Sequence, residues 1–263
     1  MEIIKAVNGL EYCAFRNSEF ERTIHGFFTR TGGVSKNQYT SLNLGGSIGD
    51  EPDCVNENKR RVFHAMNRSI HSAYEVWQIH SSDIVCSDRP LFTGEQRAKA
   101  DGIFTSNPDV TLIMRFADCV PILLFNPVNS IVGIIHAGWL GTVNRIVEKA
   151  IERAQEFYKA NPEDFVAGLG PSIGPDHYEI GNDVTARVKN TFNFKENEIL
   201  IHKDGRVFLD LWKANSILLR NAGVTRIYNS KICTACDTRH WYSHRAEKGN
   251  TGRFGAIIGL KQG

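Results

Sequence analysis

The stretch from 111 to 137, "TLIMRFADCVPILLFNPVNSIVGIIHA", constrains the fold more than any other part of this sequence. Three apolar runs of strand length, 111 to 117, 121 to 126 and 131 to 137, follow one another across gaps of three and four residues. "NPVNS" has turn chemistry, so the last two runs are spaced as a hairpin. Directly behind them, Val143, Ile146, Val147, Ala150, Ile151, Ala154 and Phe157 recur at three- and four-residue steps. That spacing predicts a helix with Thr142 as its N-cap, and its apolar stripe must pack on a sheet.

The same criteria predict strands over 74 to 80, 83 to 87, 164 to 170, 224 to 230 and 254 to 260. Asp53 to Met66 and Leu209 to Asn221 read as helices, the second closing on Ala222-Gly223 as helix C-termini do. Hairpin-spaced strands with separate long helices point to an α+β fold, a mixed β-sheet packed against helices, and not to regular βαβ alternation. No repeat, low-complexity tract or linker interrupts residues 1–263, so a single domain is expected. With 41% hydrophobic and 23% charged residues the chain can bury a sizeable core.

Charge and termini narrow the functional classes. The formal net charge is +2 with basic residues scattered, which argues against a nucleic-acid footprint while leaving room for a small anionic ligand. "MEIIKAVNGLEYCAF" lacks the basic start and continuous apolar run of a signal, and no stretch reaches membrane-spanning length. No membrane partner and a cytoplasmic location are the expectation. Six cysteines in a chain this long are not a disulfide scaffold, so reduced thiols are expected. Cys233 and Cys236 form the one C-x-x-C, which reads as half a zinc site, a redox pair or two small residues near a strand end.

Three segments put a metal-competent side chain at or near a predicted strand end: "VWQIHSSD" with His80, "MRFADCVP" with Cys119 and "GIIHAGW" with His136. If those strands are neighbours, two imidazoles and a thiolate converge, a donor set suited to zinc with the fourth position open. Such a set is complete without Cys233 and Cys236. A histidine at the end of an apolar strand is also an ordinary hydrogen-bonded boundary residue, and the same side chains serve a cysteine hydrolase with Cys119 as nucleophile and His136 or His80 as base. Asp118, next to Cys119, would orient a ligand or a substrate hydroxyl, and Gln78 would share the strand face of His80. Trp139 would stack on a flat ring or pack between helix and sheet. A copper oxidase draws on paired H-x-H arrangements, and none of the nine histidines lies two residues from another. A zinc nucleobase deaminase needs H-x-E together with P-C-x-x-C, but His136 is followed by Ala137 and Gly138 with no glutamate, and "KICTAC" lacks the proline.

In order along the chain, "HGFFTRTGGVS", "YTSLNLG", "QIHS", "ADGIFT", "RFADCVPILL", "GIIHAGWLGT", "GPSIGPDHYEIG", "FLDLWKANSILLRNAGV" and "CTACDTRHWYSHRAEKGNTGR" resemble the laccase-domain family of bacterial purine nucleoside phosphorylases, once described as polyphenol oxidases. The resemblance runs from about residue 25 to the C-terminus. It implies a zinc enzyme, with copper as the alternative metal, that phosphorolyses adenosine, inosine and methylthioadenosine and also deaminates adenosine. It places the metal, and with it the catalytic centre, on His80, Cys119 and His136. Phosphorolysis adds a need for an anion site beside the ribose. Arg30 in "TRTGGVS", Asn43 in "SLNLGG", and Arg245 and Arg253 in "SHRAEKGNTGR" are the candidates, Arg30 and Asn43 ranking first. "GPSIGP" reads as a structural turn lining the site. Purine nucleosides and phosphate are the implied partners; the sequence leaves the oligomeric state open.

Overall fold

Alternation along Ile131–Ala137 sets the layering of the molecule. Ile131, Ile135 and Ala137 point into one apolar core, while Val132 and Ile134 point into another. A strand that is apolar on both faces must lie in a sheet covered on both sides. The computed structural model describes residues 1–92 and 94–262, with only the backbone of Phe194.

In chain order the first strands are β1 (Ile3–Lys5), β2 (Glu11–Cys13), β3 (Thr23–Phe28), β4 (Ala73–Tyr74), β5 (Ile84–Cys86), β6 (Gly102–Thr105), β7 (Thr111–Phe116) and β8 (Val120–Asn126). They are followed by β9 (Ile131–Ala137), β10 (Val166–Leu169), β11 (Glu179–Ile180), β12 (Leu200–Lys203), β13 (Arg206–Leu209), β14 (Arg226–Asn229) and β15 (Phe254–Leu260). Two six-stranded sheets, β1-β2-β3-β15-β7-β4 and β14-β10-β8-β9-β6-β5, stand beside a three-stranded one, β11-β13-β12. Both large sheets are mixed, with parallel pairs at β4·β7, β5·β6 and β10·β14. The expected α+β architecture holds, with two large sheets where one was anticipated.

The helices are α1 (Pro52–Ala65), α2 (Trp139–Val143), α3 (Ile146–Tyr158), α4 (Asn182–Phe192), α5 (Glu196–Ile199) and α6 (Leu211–Asn221). Helix α1 starts on a proline and lays Val62 and Phe63 against Phe28, Ile113 and Ile257 on the outer face of the first sheet. Between the two sheets lie Phe27, Leu112, Met114 and Ile258 from one and Ile103, Leu123, Phe125 and Ile134 from the other. On the far face of the second sheet, α3 buries Ile146, Val147, Ala150, Ile151 and Ala154, and α6 packs beside it. The result is helix, sheet, sheet, helix. Truncating an inter-sheet residue such as Leu123, fully buried, to alanine would cost about 3 kcal/mol. No helix among the described residues is long and apolar enough to cross a membrane.

Two local expectations need correction. Thr142 is not an N-cap: the chain turns helical at Trp139, breaks where Arg145 takes φ +61°, and restarts at Ile146. Thr142 Oγ1 instead donates to the carbonyl of Gly138 inside the first short helix. The segment 74 to 80 is strand only at Ala73–Tyr74, with one isolated bridge from Trp77 to Lys99. It leaves the first sheet because it must cross to β5 in the second. Gln78 pins this crossing segment to the sheet edge, donating to the Arg115 carbonyl (2.8 Å) and accepting from the Arg115 amide (2.9 Å).

Candidate metal centre

Crossings between the sheets build the centre. The β4–β5 connection carries His80 from the first sheet to the second, and the three residues between β7 and β8, Ala117 to Cys119, make the same passage. His136 continues the alternation of Val132 and Ile134 on β9, so its ring points to the inter-sheet side, where it lies 5.4 Å from the ring of Phe116 on β7. Register completes the approach: Pro121 pairs with His136 and Val120 with Ala137, which leaves Cys119 at the mouth of the β8–β9 hairpin ladder. Donor atoms of His80, Cys119 and His136 all lie within 4.8 Å of one another. The two imidazoles meet edge to face, centroids 4.9 Å apart.

Unusual backbone supports this convergence. His80 has φ +59° and Asp118 φ +83°, both in the left-handed region that non-glycine residues seldom occupy. Gly138 makes room for the thiol: a Cβ there would sit 2.8 Å from Cys119 Sγ and 3.5 Å from His80 Cδ2.

Asp101, just before β6, organises the cluster and was not singled out by sequence reasoning. Its Oδ1 lies 2.8 Å from His136 Nδ1. Its Oδ2 accepts from the backbone of Ser81 (2.6 Å) and of Ile79 (3.2 Å), the residues on either side of His80, and from Ser81 Oγ. Burial would raise this carboxyl, but the bonds from His136 and Ser81 outweigh it and hold it below its usual range. An ionised Asp101 can only accept, so the His136 proton sits on Nδ1 and Nε2 is left for the cluster. The only sequence signal was an aspartate leading into a strand, in "ADGIFT".

Electrostatics inside the cluster favour a thiolate. Burial pushes the Cys119 thiol up, yet His136 beside it, with hydrogen bonds from His136 and His80, brings it down to about 6. Burial likewise lowers His136, and the Cys119 charge together with Asp101 lifts it to about 9. A soft anionic sulfur and two imidazoles, held close with Nδ1 of one imidazole committed to a carboxylate, match the donor set and outer-shell support of an open zinc site.

The remaining predicted residues are placed as follows. Asp118 is buried and does not touch a ligand: Oδ1 accepts from Thr234 Oγ1 (2.7 Å) and Oδ2 from the Arg245 amide (2.6 Å), so it anchors two loops beside Cys119. The Arg245 guanidinium lies over the ring of Tyr178 and donates to the Glu179 carbonyl. The Arg253 guanidinium donates to the carbonyls of Thr251 and Gly252, and burial pulls it below its usual range although negative Cys119 and Asp118 act in the opposite sense. Tyr178, missed in the sequence, is kept protonated by burial and by its nearness to Cys119.

Arg30 and Asn43, ranked first as anion ligands, are committed elsewhere. Arg30 bonds the carbonyls of Thr40 and Thr238 and pairs with Glu247 at 2.9 Å. Asn43 is buried, bonding Gly45, Asp50 and the Arg253 amide. Trp139 is half-buried against the helix-side core, with Arg187 over its ring. A groove of about 780 Å³ bounded by Lys59, Glu75, Trp77, Arg97 and Lys99 includes none of the three donors.

Comparison with known proteins matches nearly the whole chain to one family. Residues 24–261 match the family model described as multi-copper polyphenol oxidoreductase laccase. A protein of Deinococcus radiodurans named purine nucleoside phosphorylase is 36% identical over 236 residues, covering 90% of this chain and 88% of its own. Purine nucleoside phosphorylase YfiH of Escherichia coli is 34% identical, covering 88% of this chain and 91% of its own. The crystal structure of YlmD from Geobacillus stearothermophilus superposes with a TM-score of 0.91 at 31% identity, covering 99% of both chains.

Proposed function

The chain belongs to the multi-copper polyphenol oxidoreductase laccase family, and we propose that within it the protein is a zinc-dependent purine nucleoside phosphorylase. Adenosine, inosine and methylthioadenosine are the substrates of this reading, with deamination of adenosine as a second activity. The observation that carries it is the convergence of His80, Cys119 and His136 in a chain whose relatives bear the phosphorylase name. None of the nine histidines is spaced as in paired copper ligands, which favours one zinc over a multicopper assembly.

His80, Cys119 and His136 would hold the zinc, and the ion when bound supplies Lewis acidity and a lowered pKa for coordinated water. Asp101 keeps the His136 proton on Nδ1 and fixes the loop that carries His80. Arg245 and Arg253 present positive charge on the thiolate side for the incoming phosphate, and Asp118 holds the Arg245 backbone in place. Arg30 and Asn43 shape the walls behind them. Tyr178, held neutral by burial, carries the Arg245 guanidinium over its ring. In phosphorolysis the glycosidic C–N bond breaks, a phosphate oxygen bonds C1, and a proton goes to the departing base.

Incubation of the zinc-loaded chain with inosine should release hypoxanthine and ribose 1-phosphate only when phosphate is supplied. Hypoxanthine with free ribose, at a rate indifferent to phosphate, would replace this reading with hydrolysis. One observation favours a second reading: a thiol lowered to about 6 beside a raised imidazole is also what a cysteine hydrolase uses.

A further inference from the structure

The second cluster of metal-competent side chains lies outside this centre, where the turn "GPSIGPDH" meets the turn "CTAC". Ser172 and Cys233 form an isolated bridge, with the Thr234 amide donating to the Ser172 carbonyl and the Ser172 amide to that of Ile232. At the end of that bridge stand Asp176, His177, Cys233 and Cys236, whose donor atoms all lie within 4.8 Å of one another. We propose that these four residues form a second, closed zinc site that clamps the two turns together.

The distances carry the proposal. With Zn–S near 2.3 Å and Zn–N or Zn–O near 2.0 to 2.1 Å, tetrahedral angles put sulfur and nitrogen or oxygen about 3.6 Å apart, and nitrogen and oxygen about 3.3 Å apart. His177 Nδ1 is 3.8 Å from Cys233 Sγ and 3.6 Å from Cys236 Sγ. Cys236 Sγ is 3.8 Å from Asp176 Oδ2, which is 3.1 Å from His177 Nδ1. Each lies within a few tenths of an ångström of the coordinated value. The Gly174 amide donates to Cys233 Sγ at 3.1 Å, the support a ligating thiolate receives from its backbone. A side chain at Gly174 would crowd two of the four, its Cβ falling 2.6 Å from Asp176 Oδ1 and 3.1 Å from Cys233 Sγ. Two thiolates, an imidazole and a carboxylate fill a tetrahedron, which marks a structural ion and not a catalytic one. Asp176 and Cys236 are exposed, so the ion has a way in.

The clamp bears on the first centre without joining it. The Ile173 amide donates to the Asp118 carbonyl (3.0 Å) and Thr234 Oγ1 to the Asp118 carboxylate, one contact from each turn. Holding the turns together therefore braces the residue that precedes Cys119.

Metal analysis of the full chain, purified under reducing conditions and loaded with zinc, tests this. The Cys233→Ser/Cys236→Ser variant should hold one zinc fewer per chain than the wild type, and its cobalt form should lose the charge-transfer intensity of a two-thiolate tetrahedral site. Equal zinc contents would overturn the proposal. A measurement on wild-type protein does not depend on the variant folding: peptide mapping after alkylation should find Cys233 and Cys236 protected with zinc and modified once a chelator strips it. Modification at the same rate in both forms, or a Cys233–Cys236 disulfide in the reduced preparation, would also overturn it. The His136→Ala variant separates this site from the proposed catalytic one, because it should lose its own zinc and leave both cysteines protected.

Discussion

Asp101 Oδ1 lies 2.8 Å from His136 Nδ1, and the same carboxylate takes, through Oδ2, the amides on both sides of His80. One buried side chain thus fixes the ring of one metal-competent histidine and the loop of the other.

Replacement of Asp101 by asparagine tests that linkage. An amide cannot satisfy both sets of donors: with its oxygen on His136 its NH₂ faces the Ser81 and Ile79 amides, and when flipped it drives the His136 proton to Nε2. Zinc affinity should fall by about 10- to 100-fold, measured by competition with a chromogenic chelator while circular dichroism reports the fold. Unchanged affinity would remove Asp101 from the centre.

Gly138→Ala probes the space behind the thiol. The new Cβ would stand 2.8 Å from Cys119 Sγ, so the sulfur must shift. Zinc affinity should drop by about tenfold or more with little change in thermal stability. A variant that binds zinc as tightly as the wild type would show that Cys119 is free to move or does not ligate.

Cys119 itself separates the two enzymatic readings. As a zinc ligand it should resist iodoacetamide in the loaded protein and react quickly after chelation, since a thiol at about 6 is largely ionised at neutral pH. Rapid alkylation of the zinc-loaded chain, with a covalent adduct on turnover, would establish the hydrolase instead.

His25 makes stability depend on mild acid. Burial lowers it from 6.5 to about 4, and its Nε2 accepts the Phe15 amide at 3.0 Å, a bond that protonation abolishes. Its pKa is depressed on folding, so the unfolded chain binds the proton more readily between those values. The contribution is whole above about pH 6.5 and is lost as pH falls toward 4, about 3 kcal/mol in all. Urea midpoints should decline across that window, and His25→Gln should flatten the decline; an equal slope in the variant would refute the assignment.

The sequence determined the local elements. Phe254–Leu260 and Ile131–Ala137 form as their apolar runs indicate, α6 ends at Ala222-Gly223, and α1 lies within a residue of its predicted span. Strand and helix periodicity is a short-range property, so residues a few positions apart suffice to reveal it. The short strands β1, β2 and β6 carry too few residues for a period and escaped notice, as did the longer β3 and α4.

What the chain could not show by itself is which side chains meet. His80, Cys119 and His136 could be named as a set only by their chemistry and by resemblance, because ligands so far apart in sequence have no diagnostic spacing. Their approach depends on two connections crossing between sheets, on the register that sets Pro121 against His136, and on positive φ at His80 and Asp118. Register also brings Asp101 beside His136, through the pairing of Gly102 with Ile135. The same limit explains Arg30 and Asn43: their residue types suited an anion, but only the packed structure shows their polar atoms engaged by Glu247, Asp50 and neighbouring backbone. Contacts between distant segments follow from how whole layers stack, and local sequence holds no record of that.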